Sequence, residues 1–517
     1  MYPGLHARNT PDKPAIILAE TGEVVTYREL DDNSAALARV LYDAGLRPGD
    51  VVAVLSDNAA QVFDVYWAAH RSGLYITAIN HHLTPAEAAY IVNDSGARAL
   101  IVSASLREVA NEVAGQLNTA DVLLAFGGEV PGFAGYEDAL ATAGPALAEQ
   151  PCGAVMLYSS GTTGFPKGVK PPLPPRSIDE PGDPIVAIAS GIFGMTAHDI
   201  YLSSAPVYHA APLRWCGMVQ ALGGTVVLMP KFDAEATLKY IEQYRVTAAQ
   251  MVPTMFVRLL KLDGGRGGGL RDRYDLSSLR VLIHAAAPCP IDVKQAMIEW
   301  LGPVLYEYYS STEAHGMTFI DSKDWLAHPG SVGRSVLGVL HVCDDEGNEL
   351  ATGEIGIVYF ERDQRPFEYH NDPSKTAEAQ HPAHPAWTTV GDLGYVDEDG
   401  YLYLADRKSF MIISGGVNIY PQEVENALAL HPAVHDVAVI GVPHPEMGEE
   451  VKAVVQLSEG LSESDALAAE LIDYVRNRIA HFKAPRSVSF VSELPRTPTG
   501  KLVKNKLKEQ FRAGVGK

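Results

Sequence analysis

Residues 154–168 read AVMLYSSGTTGFPKG, an apolar run followed by a turn rich in glycine and hydroxyl groups. The run Ala154–Leu157 predicts a buried strand. In the turn, glycines allow backbone N–H groups to approach phosphate oxygens closely, and Lys167 adds positive charge. The hydroxyl donors are Ser159, Ser160, Thr162 and Thr163, and the glycines among them are Gly161 and Gly164. The Walker A pattern cannot be aligned here, and a solvated hairpin would not need so many donors. We therefore expect a polyphosphate-binding loop directly after a strand.

Short β-rich runs alternate with helical patterns on both sides of this loop. Such alternation predicts an α/β fold with parallel sheets. The predicted strands and helices are, in chain order, Val51–Leu55, Ala59–His70, Leu74–Ile79, Pro85–Asn93, Ala99–Val102, Thr225–Met229, Ala234–Tyr244, Val281–Ala285 and Ile291–Leu301. Pro290 is expected near the start of the last of these helices, where a proline needs no backbone N–H.

Length, charge and cysteine content restrict the classes of function. A chain of 517 residues predicts about three folding units. Its 41 Lys and Arg residues face 63 Asp and Glu residues, and the resulting net charge of −22 would repel the phosphates of DNA or RNA. The four cysteines are far apart in sequence and lack metal-ligand spacing, which disfavours a disulfide framework or a zinc site. The chain shows neither a signal-peptide pattern nor a membrane-spanning apolar run, so we expect a cytoplasmic protein without a nucleic-acid partner.

Three segments are predicted as connectors, and the last fifth of the chain has a different pattern. The connectors are Pro171–Pro175, Gly264–Gly269 and Gln364–Pro385. From about Leu404 the pattern predicts a compact α+β unit. Its predicted elements are a helix at Pro421–Leu430, strands at Val437–Val442 and Lys452–Leu457, and a helix at Ser464–Ala480.

The glycine- and hydroxyl-rich loop resembles the phosphate loop of the adenylate-forming superfamily, which contains acyl-CoA synthetases, peptide-synthetase adenylation domains and beetle luciferases. The resemblance extends over nearly the whole chain as a fixed order of motifs. These motifs are Asp12–Ala15, Thr26–Leu30, Tyr309–Glu313, Gly391–Gly394, Ser414–Pro421 and Pro495–Lys501. The resemblance implies an α/β N-terminal domain of several subdomains, residues 1–407, and a small mobile C-terminal α+β domain, residues 408–517.

The resemblance also implies where a nucleotide binds. Tyr309 would stack on adenine, Thr312 would contact the α-phosphate, and Asp392 with Arg407 would hold the ribose. The small-residue segment along adenine would be Ala286, Ala287 and Pro288, at the end of the stretch that begins with Ala285. Mg²⁺, a hard cation that prefers oxygen ligands, is implied at Glu313 and Thr162. Considered without the family, Tyr306, Tyr308 and Tyr309 are an aromatic strand, Asp392 is a turn residue and Arg407 is a surface charge.

The resemblance implies that the last motif serves the formation of acyl-AMP and that the C-terminal glycines serve the transfer of the acyl group to CoA. Lys501 would stabilise negative charge where the acid meets the α-phosphate, although a surface lysine is the alternative. Gly415 and Gly416 would let the pantetheine arm of CoA pass close to the backbone. The pivot of the mobile domain maps onto Ser409, where relatives usually have aspartate or lysine.

An apolar set of residues is predicted to hold the acid. His209 resembles the gate beside the acyl carboxylate, although a structural histidine is the alternative. The other candidate pocket residues are Ala210, Trp215, Met218, His284, Ser310, Gly316 and Met317. His284 fits a core histidine equally well, and Ser310 stands where the family usually has glycine.

The sequence therefore predicts an AMP-forming acyl-CoA synthetase that uses ATP, CoA and Mg²⁺. The preferred substrate is an apolar acid, long-chain or bulky polycyclic, and an aryl acid is second. Alternatives are an enzyme that loads a carrier protein, a luciferase-like oxygenase and an adenylate sensor without turnover. Because the chain stops at Lys517, soon after the lysine motif, we expect free CoA as acceptor. A homodimer is left open.

Overall fold

A computed structural model describes residues 2–159, 166–262, 269, 273–407, 410–415, 417–496 and 502–512, with the side chains of Ser159, Arg407 and Arg512 outside the description. The helices are α1 Pro3–Asn9, α2 Tyr27–Asp43, α3 Gln61–His70, α4 Pro85–Asp94, α5 Arg107–Ala114, α6 Tyr136–Ala141, α7 Pro184–Gly191, α8 Ala210–Leu222, α9 Ala234–Gln243, α10 Pro253–Leu260, α11 Ile291–Leu301, α12 Ser322–Ala327, α13 Pro373–Glu378, α14 Pro421–Leu428, α15 Asp465–Arg476 and α16 Lys504–Arg512.

The strands are β1 Pro14–Leu18, β2 Val24–Thr26, β3 Val51–Leu55, β4 Tyr75–Ile79, β5 Ala97–Ser103, β6 Val122–Phe126, β7 Ala134–Gly135, β8 Ala154–Val155, β9 Leu157–Ser159, β10 Lys167–Lys170, β11 Ile200–Ser203, β12 Thr225–Leu228, β13 Ala248–Met251, β14 Val281–His284, β15 Leu305–Tyr309, β16 Met317–Asp321, β17 Arg334–Leu337, β18 Val339–Cys343, β19 Gly356–Glu361, β20 Glu368–Tyr369, β21 Trp387–Thr388, β22 Asp392–Val396, β23 Leu402–Arg407, β24 Ile412–Ser414, β25 Val417–Ile419, β26 Val434–His444, β27 Gly448–Leu457 and β28 Ser487–Val491.

The chain divides into two compact units. The first comprises Met1–Gln250, Tyr274–Val281 and Pro366–Ala377, and the second comprises Met251–Arg273, Leu282–Arg365 and Glu378–Lys517. No helix in the described ranges combines the length and the apolar character needed to cross a membrane. The division at 407/408 stays a prediction.

Parallel sheets dominate the first unit, as the alternating pattern predicts. One sheet has the strand order β7-β6-β5-β3-β4-β8, and all its pairs are parallel. Helix α4 shows why the sequence folds this way locally. Thr84 and Glu87 form a capping box at its N-terminus, and Ala88, Ile91 and Val92 turn its apolar face to the core. A second run of strands, β13-β11-β12-β1-β2, is parallel except for the β1–β2 pair.

The predicted strand at Ala154–Leu157 is wrong in one respect. The chain changes sheets inside this run, because β8 pairs with β4 while β9 pairs antiparallel with β10. Met156, fully buried between the two strands, keeps the run apolar through the change. An unbroken hydrophobic pattern therefore concealed the break, since burial on both sides of it is equally complete.

Parallel and antiparallel pairs meet in the second unit. Strands β14 and β15 are parallel, whereas β16 and β17 follow in antiparallel pairing. An antiparallel sheet with the order β18-β19-β22-β23, to which β21 also pairs, holds Asp392 at the first residue of β22. The register of this sheet places Asp392 directly opposite Arg407.

The C-terminal part of the second unit contains the elements predicted for it. Its central pair is the long antiparallel hairpin of β26 and β27, and β28 joins β27 in parallel. Helices α14 and α15 contribute Val424, Leu428, Leu471 and Val475 to its apolar core. The strands are longer than predicted, because their ends carry polar residues that lack an apolar alternation.

The structure confirms only one of the predicted connectors. Pro171–Pro175 has no regular structure, as predicted, whereas Gln364–Pro385 contains β20 and α13 and is not a plain connector. Pro373 begins α13, a position that favours proline, but this short helix lacks the apolar period that would have predicted it. Of Gly264–Gly269, only Gly269 lies within the described residues.

Candidate active site

Tyr309 and Asp392 are joined by a hydrogen bond at the centre of the predicted nucleotide site. The phenolic hydroxyl donates to Oδ2 of Asp392 at 2.7 Å, and both residues are only 9% exposed. Tyr309 is the last residue of β15, and Asp392 is the first of β22, so two different sheets supply them. An aromatic face and a carboxylate acceptor side by side suit a base and the diol of its ribose.

The predicted adenine segment follows β14 and contains a residue in an unusual backbone conformation. Ala286 has φ of +75°, in the left-handed region that residues other than glycine rarely adopt. Ala285 is buried, whereas Ala286 and Pro288 are exposed to the cavity described below. Because strain of this kind persists only where the surroundings over-determine it, the conformation points to a functional segment.

The loop that carries Thr312 and Glu313 is closed by hydrogen bonds on both sides. Ser310 Oγ donates to the carbonyl of Gly316 at 2.7 Å, and Ser311 Oγ lies 2.8 Å from Nδ1 of His315. Ala314, at φ of +51°, is a second non-glycine residue in the left-handed region. The resulting turn holds Thr312 and Glu313 in a fixed place, with the Glu313 carboxylate only slightly exposed.

Gly316 and Met317 end this loop. Gly316 lies against the ring of Phe360, and a Cβ atom at this position would collide with that ring. Met317 opens β16 and is 7% exposed. Ser310 therefore braces the loop through Gly316, a function that glycine at position 310 could not perform.

A cavity of about 620 Å³ lies next to these residues in the second unit. Its wall includes Ala285–Pro288, Tyr308–Ser310 and Asp392 on one side. Residues from the C-terminal part of the unit complete it, among them Glu425, Asp436, Arg496 and Lys504. The volume is that of a small-molecule site, and both signs of charge line it.

A buried ion pair adjoins the cavity, which Glu307, one of its two partners, helps to line. Lys294 Nζ is 2.5 Å from Oε2 of Glu307, and both side chains are almost fully buried. Burial raises the pKa of Glu307, and the nearby ammonium of Lys294 opposes that rise. Whichever atom holds the shared proton, the pair is neutral overall. It joins α11 to β15, two residues before Tyr309.

His284 is fully buried beside this pair, in register with Glu307. Its Nε2 lies 3.5 Å from Oε2 of Glu307, outside good hydrogen-bond distance, and its ring packs edge-on against Phe256. Burial, followed by the charge of Lys294, holds the pKa of His284 well below its usual range, so the ring is neutral. The burial matches the alternative of a core histidine, but neither ring nitrogen has a hydrogen-bond partner among the described residues, so the histidine is not a satisfied one. A part in the acyl pocket stays a prediction.

The remaining acyl-pocket candidates lie in the first unit on α8. His209 is the N-cap residue of this helix, and its ring lies 4.4 Å from that of Tyr208. Trp215 stacks on Tyr201 and meets Phe193 edge-on. Trp215 and Met218 are buried, whereas Ala210, which begins the helix, is half-buried.

Several predicted residues fall outside the described part of the chain. Lys167 is described, and its ammonium lies 5.8 Å from the centre of the Tyr369 ring. Gly415 is also described and has φ of +59°, and a Cβ atom there would approach Cε of Met447. Those outside are Ser160, Gly161, Thr162, Thr163, Gly164, Ser409, Gly416 and Lys501, together with the side chains of Ser159 and Arg407.

Four charged residues near the cavity were missed by the sequence analysis. Arg496 pairs with Asp436 through two hydrogen bonds, and Lys504 pairs with Glu425 at 2.9 Å. The partners of the first pair are 60 positions apart, so no helical or strand period connects them. Their only sequence signal was that Arg496 lies inside the Pro495–Lys501 motif and Lys504 lies just after it.

Comparisons with known proteins agree with this geometry. Residues 5–365 match the family model of the AMP-binding enzymes, and residues 423–501 match the model of the AMP-binding enzyme C-terminal domain. A feruloyl-CoA synthase of Amycolatopsis is 34% identical over 99% of this chain and 98% of its own length. A fatty acid–acyl-carrier-protein ligase of Streptomyces coeruleorubidus is 31% identical over 98% of this chain and 95% of its own. A CoA ligase of Rhodococcus jostii for a methyl-dioxo-octahydroindenyl propanoyl group is 33% identical over 94% of both chains.

Solved structures give the same result. The anthranilate CoA ligase in complex with anthranoyl-AMP has a TM-score of 0.83 at 26% identity, covering 100% of this chain and 98% of that one. ATP-bound MatB from Rhodopseudomonas palustris has a TM-score of 0.81 at 29% identity, covering 99% of both chains. The chain therefore belongs to the AMP-binding enzyme family, within the adenylate-forming superfamily. It is an AMP-forming acid–thiol ligase of the acyl-CoA synthetase type.

Proposed function

We propose that the protein activates an apolar carboxylic acid, long-chain or bulky polycyclic, as its acyl-AMP and then transfers the acyl group to the thiol of CoA. The observation that carries the proposal is the pair of Tyr309 and Asp392, joined at 2.7 Å on the wall of the 620 Å³ cavity. A ring face for adenine and a carboxylate for a ribose diol stand side by side there. The strained Ala286 beside them supports the same assignment.

In the first half-reaction, a carboxylate oxygen bonds to the α-phosphorus of ATP and the bond to pyrophosphate breaks. Both reactants are anions, so positive charge must neutralise them where they meet. We assign this task to the ammonium groups of Lys167 and Lys501, while the hydroxyl of Thr312 would donate a hydrogen bond to the α-phosphate. The site must also hold the attacking oxygen in line with the bond that breaks.

Mg²⁺ fits the residues present. Glu313 offers a carboxylate from a braced turn, and the described residues contain no group of three or more His, Cys, Asp or Glu side chains that could hold a metal by themselves. One carboxylate together with substrate phosphates is the usual way in which proteins bind Mg²⁺. Bound there, the ion would withdraw negative charge from the phosphate oxygens.

In the second half-reaction, the sulfur of CoA bonds to the acyl carbon, the bond to AMP breaks and the thiol proton passes to solvent. Gly415 supports this assignment, because it is exposed and its positive φ is a conformation that suits glycine. We place the pantetheine arm along Gly415 and Gly416, where glycine allows close passage.

The acid is the finer part of the proposal. Buried Trp215 and Met218 on α8 are apolar and suit an apolar acid. The Rhodococcus relative is named for a fused-ring acid, and the feruloyl-CoA synthase is named for an aryl acid, which keeps an aryl acid as the second candidate. The Streptomyces relative is named as a carrier-protein ligase and supports a carrier protein as the alternative acceptor.

The test is a screen for acid-dependent pyrophosphate release with short, long, aryl and polycyclic acids in the presence of ATP and Mg²⁺. We expect pyrophosphate and acyl-AMP in the absence of an acceptor, and AMP once an acceptor thiol is added. The highest rates should belong to long-chain or polycyclic acids. Formation of ADP alone would refute the proposal. Adding CoA or a pantetheinylated carrier protein to the best acid then identifies the acceptor by mass spectrometry.

A further inference from the structure

Two ion pairs stand at the two ends of residues 497–501, the segment that includes Lys501. On the N-terminal side, Arg496 donates to both carboxylate oxygens of Asp436, with Nη2 to Oδ1 at 2.6 Å. On the C-terminal side, Lys504 Nζ lies 2.9 Å from Oε1 of Glu425. Arg496 and Lys504, on either side of this segment, are thus each tied to a carboxylate on another element.

The backbone also joins these two ends. Arg496 and Leu502 form an antiparallel bridge, and the N–H of Val503 donates to the carbonyl of Pro495 at 2.7 Å. The residues that flank the segment are therefore adjacent in space. The side-chain pairs determine where this joined base lies on the rest of the unit.

Both carboxylates are held in place by their own elements. Glu425, on α14, also accepts a hydrogen bond from the N–H of Val439 at 2.7 Å. Asp436 lies on β26 and receives both bonds of the arginine fork. A two-bond contact between arginine and carboxylate restrains direction as well as distance, which lysine at the same place could not do.

The two pairs lie on the cavity that also includes Tyr309 and Asp392. Glu425 and Lys504 are buried, and Asp436 and Arg496 are about one-fifth exposed. Solvent therefore screens the attraction in both pairs less than in a fully exposed ion pair. The base of the Lys501 segment is therefore tied to α14 and β26, beside the cavity where we place the nucleotide.

We propose that Arg496 and Lys504 are positioning residues that fix the base of the Lys501 segment for acyl-AMP formation. This inference rests on the proposed function. Small errors in the position of a charge-stabilising group are costly, since a misplacement of about 1 Å can lower a rate by roughly 100-fold. We assign Lys501 to acyl-AMP formation alone, so the pairs should matter less for thioester formation.

The experiment measures the two half-reactions separately in Arg496→Lys, Lys504→Met and Lys504→Arg. Arg496→Lys keeps the positive charge but loses the two-bond contact with the Asp436 carboxylate. Lys504→Arg keeps a hydrogen-bond donor for Glu425. We expect Arg496→Lys and Lys504→Met to slow acid-dependent ATP–pyrophosphate exchange by about tenfold or more. Thioester formation from synthetic acyl-AMP and CoA should stay within about twofold of wild type, and Lys504→Arg should recover most of the exchange rate.

Arg476→Met is the matched control, because Arg476 forms an exposed ion pair with Asp473 on α15 of the same unit. It should leave both half-reactions unchanged. Equal loss of both half-reactions in Arg496→Lys and Lys504→Met would show a purely structural contribution and overturn the inference, as would an unchanged exchange rate. If the wild-type protein forms no AMP with any acid, the proposed function fails instead, so the two failures are distinguishable.

Discussion

The phenolic oxygen of Tyr309 lies 2.7 Å from Oδ2 of Asp392, although the two residues are 83 positions apart. The bond connects the end of β15 with the start of β22, and thereby joins two sheets at the cavity. It restrains the carboxylate before any ligand is present. A site organised in this way loses little freedom on binding, which favours affinity.

Replacing Tyr309 by Phe should weaken ATP binding while leaving the sheet intact. The ring remains, but Asp392 loses the donor that orients it, and a hydrogen bond to a charged group contributes about 1.5 to 3 kcal/mol. We expect the KM for ATP to rise by roughly tenfold or more with a smaller change in kcat. Tyr306→Phe, on the other face of the same strand, is the control, and equal effects of the two variants would contradict the assignment.

Glu313→Gln tests the magnesium site. The substitution keeps the size of the side chain but removes the negative charge that we assign to the metal, and such charge stabilisation contributes several kcal/mol. The Mg²⁺ concentration for half-maximal acyl-AMP formation should increase clearly, and the first half-reaction should slow. A titration of the rate with MgCl₂ measures this, and an unchanged metal dependence would exclude Glu313 as a ligand.

Trp215→Ala tests the acyl pocket. If this ring limits the pocket, its removal should change the ranking among acids by roughly tenfold, since missing apolar contacts contribute about 1 to 3 kcal/mol to discrimination. His284→Ala is measured in parallel, and Tyr42→Ala, an exposed aromatic position, is the control. The kcat/KM values of a panel of acids give the answer, and an identical ranking in both variants would place the pocket elsewhere.

The buried pair of Lys294 and Glu307 should show strong coupling in stability. Lys294→Met leaves a buried carboxylate without its partner and should cost about 3 to 5 kcal/mol of unfolding free energy. The double variant Lys294→Met, Glu307→Leu should recover most of this loss, because apolar residues of similar volume can replace a buried pair. Urea unfolding measures both. Additive losses would disprove the coupling, and Arg39→Met, in an exposed ion pair, should change little.

Asp64 should make the stability of the first unit depend on pH. Burial raises the pKa of Asp64 to about 8 from an ordinary value of 3.8, while hydrogen bonds from Tyr136 and Asn33 oppose the rise. The folded state therefore holds a proton that the unfolded state has released. This stabilisation is complete below pH 3.8 and is lost as the pH rises through 8.

His70, on the same helix as Asp64, has the opposite dependence. Burial lowers its pKa from 6.5 to about 4, so its contribution is complete above pH 6.5 and is lost as the pH falls toward 4. The interval from pH 6.5 to 8 therefore isolates Asp64 from His70. Within it, unfolding free energy should fall with pH in the wild type and fall less steeply in Asp64→Asn. Equal slopes would show that Asp64 is ionised in the fold.

Sequence patterns predicted what depends on local repetition and missed what depends on distant partners. The alternation around Val51–Leu55 and Tyr75–Ile79 gave parallel strands, because burial on both faces leaves continuous apolar runs. The sheet change at Met156 left no mark in the same kind of run. Asp436 and Arg496 are joined only by tertiary folding, so neither period nor spacing could connect them.

The candidate site divides in the same way. The order of motifs predicted Tyr309 and Asp392 as members of one site, and the structure brings them together. The order of motifs could not predict the hydrogen bond between these two residues. Nor could it predict the left-handed backbone of Ala286 and Ala314, since alanine carries no signal for positive φ. The pair of Lys294 and Glu307 was missed because charged residues are normally expected at the surface.

The contact between Gly316 and Phe360 has a consequence for protein engineering. Because any side chain at position 316 would collide with the ring of Phe360, a single substitution there should destabilise the protein, whatever its effect on the choice of acid. Only a simultaneous reduction of Phe360, for example to leucine, would open space for it. A library that samples one position at a time would therefore discard variants that a paired library could retain, and the accessible routes to a new acid would depend on the order of mutation.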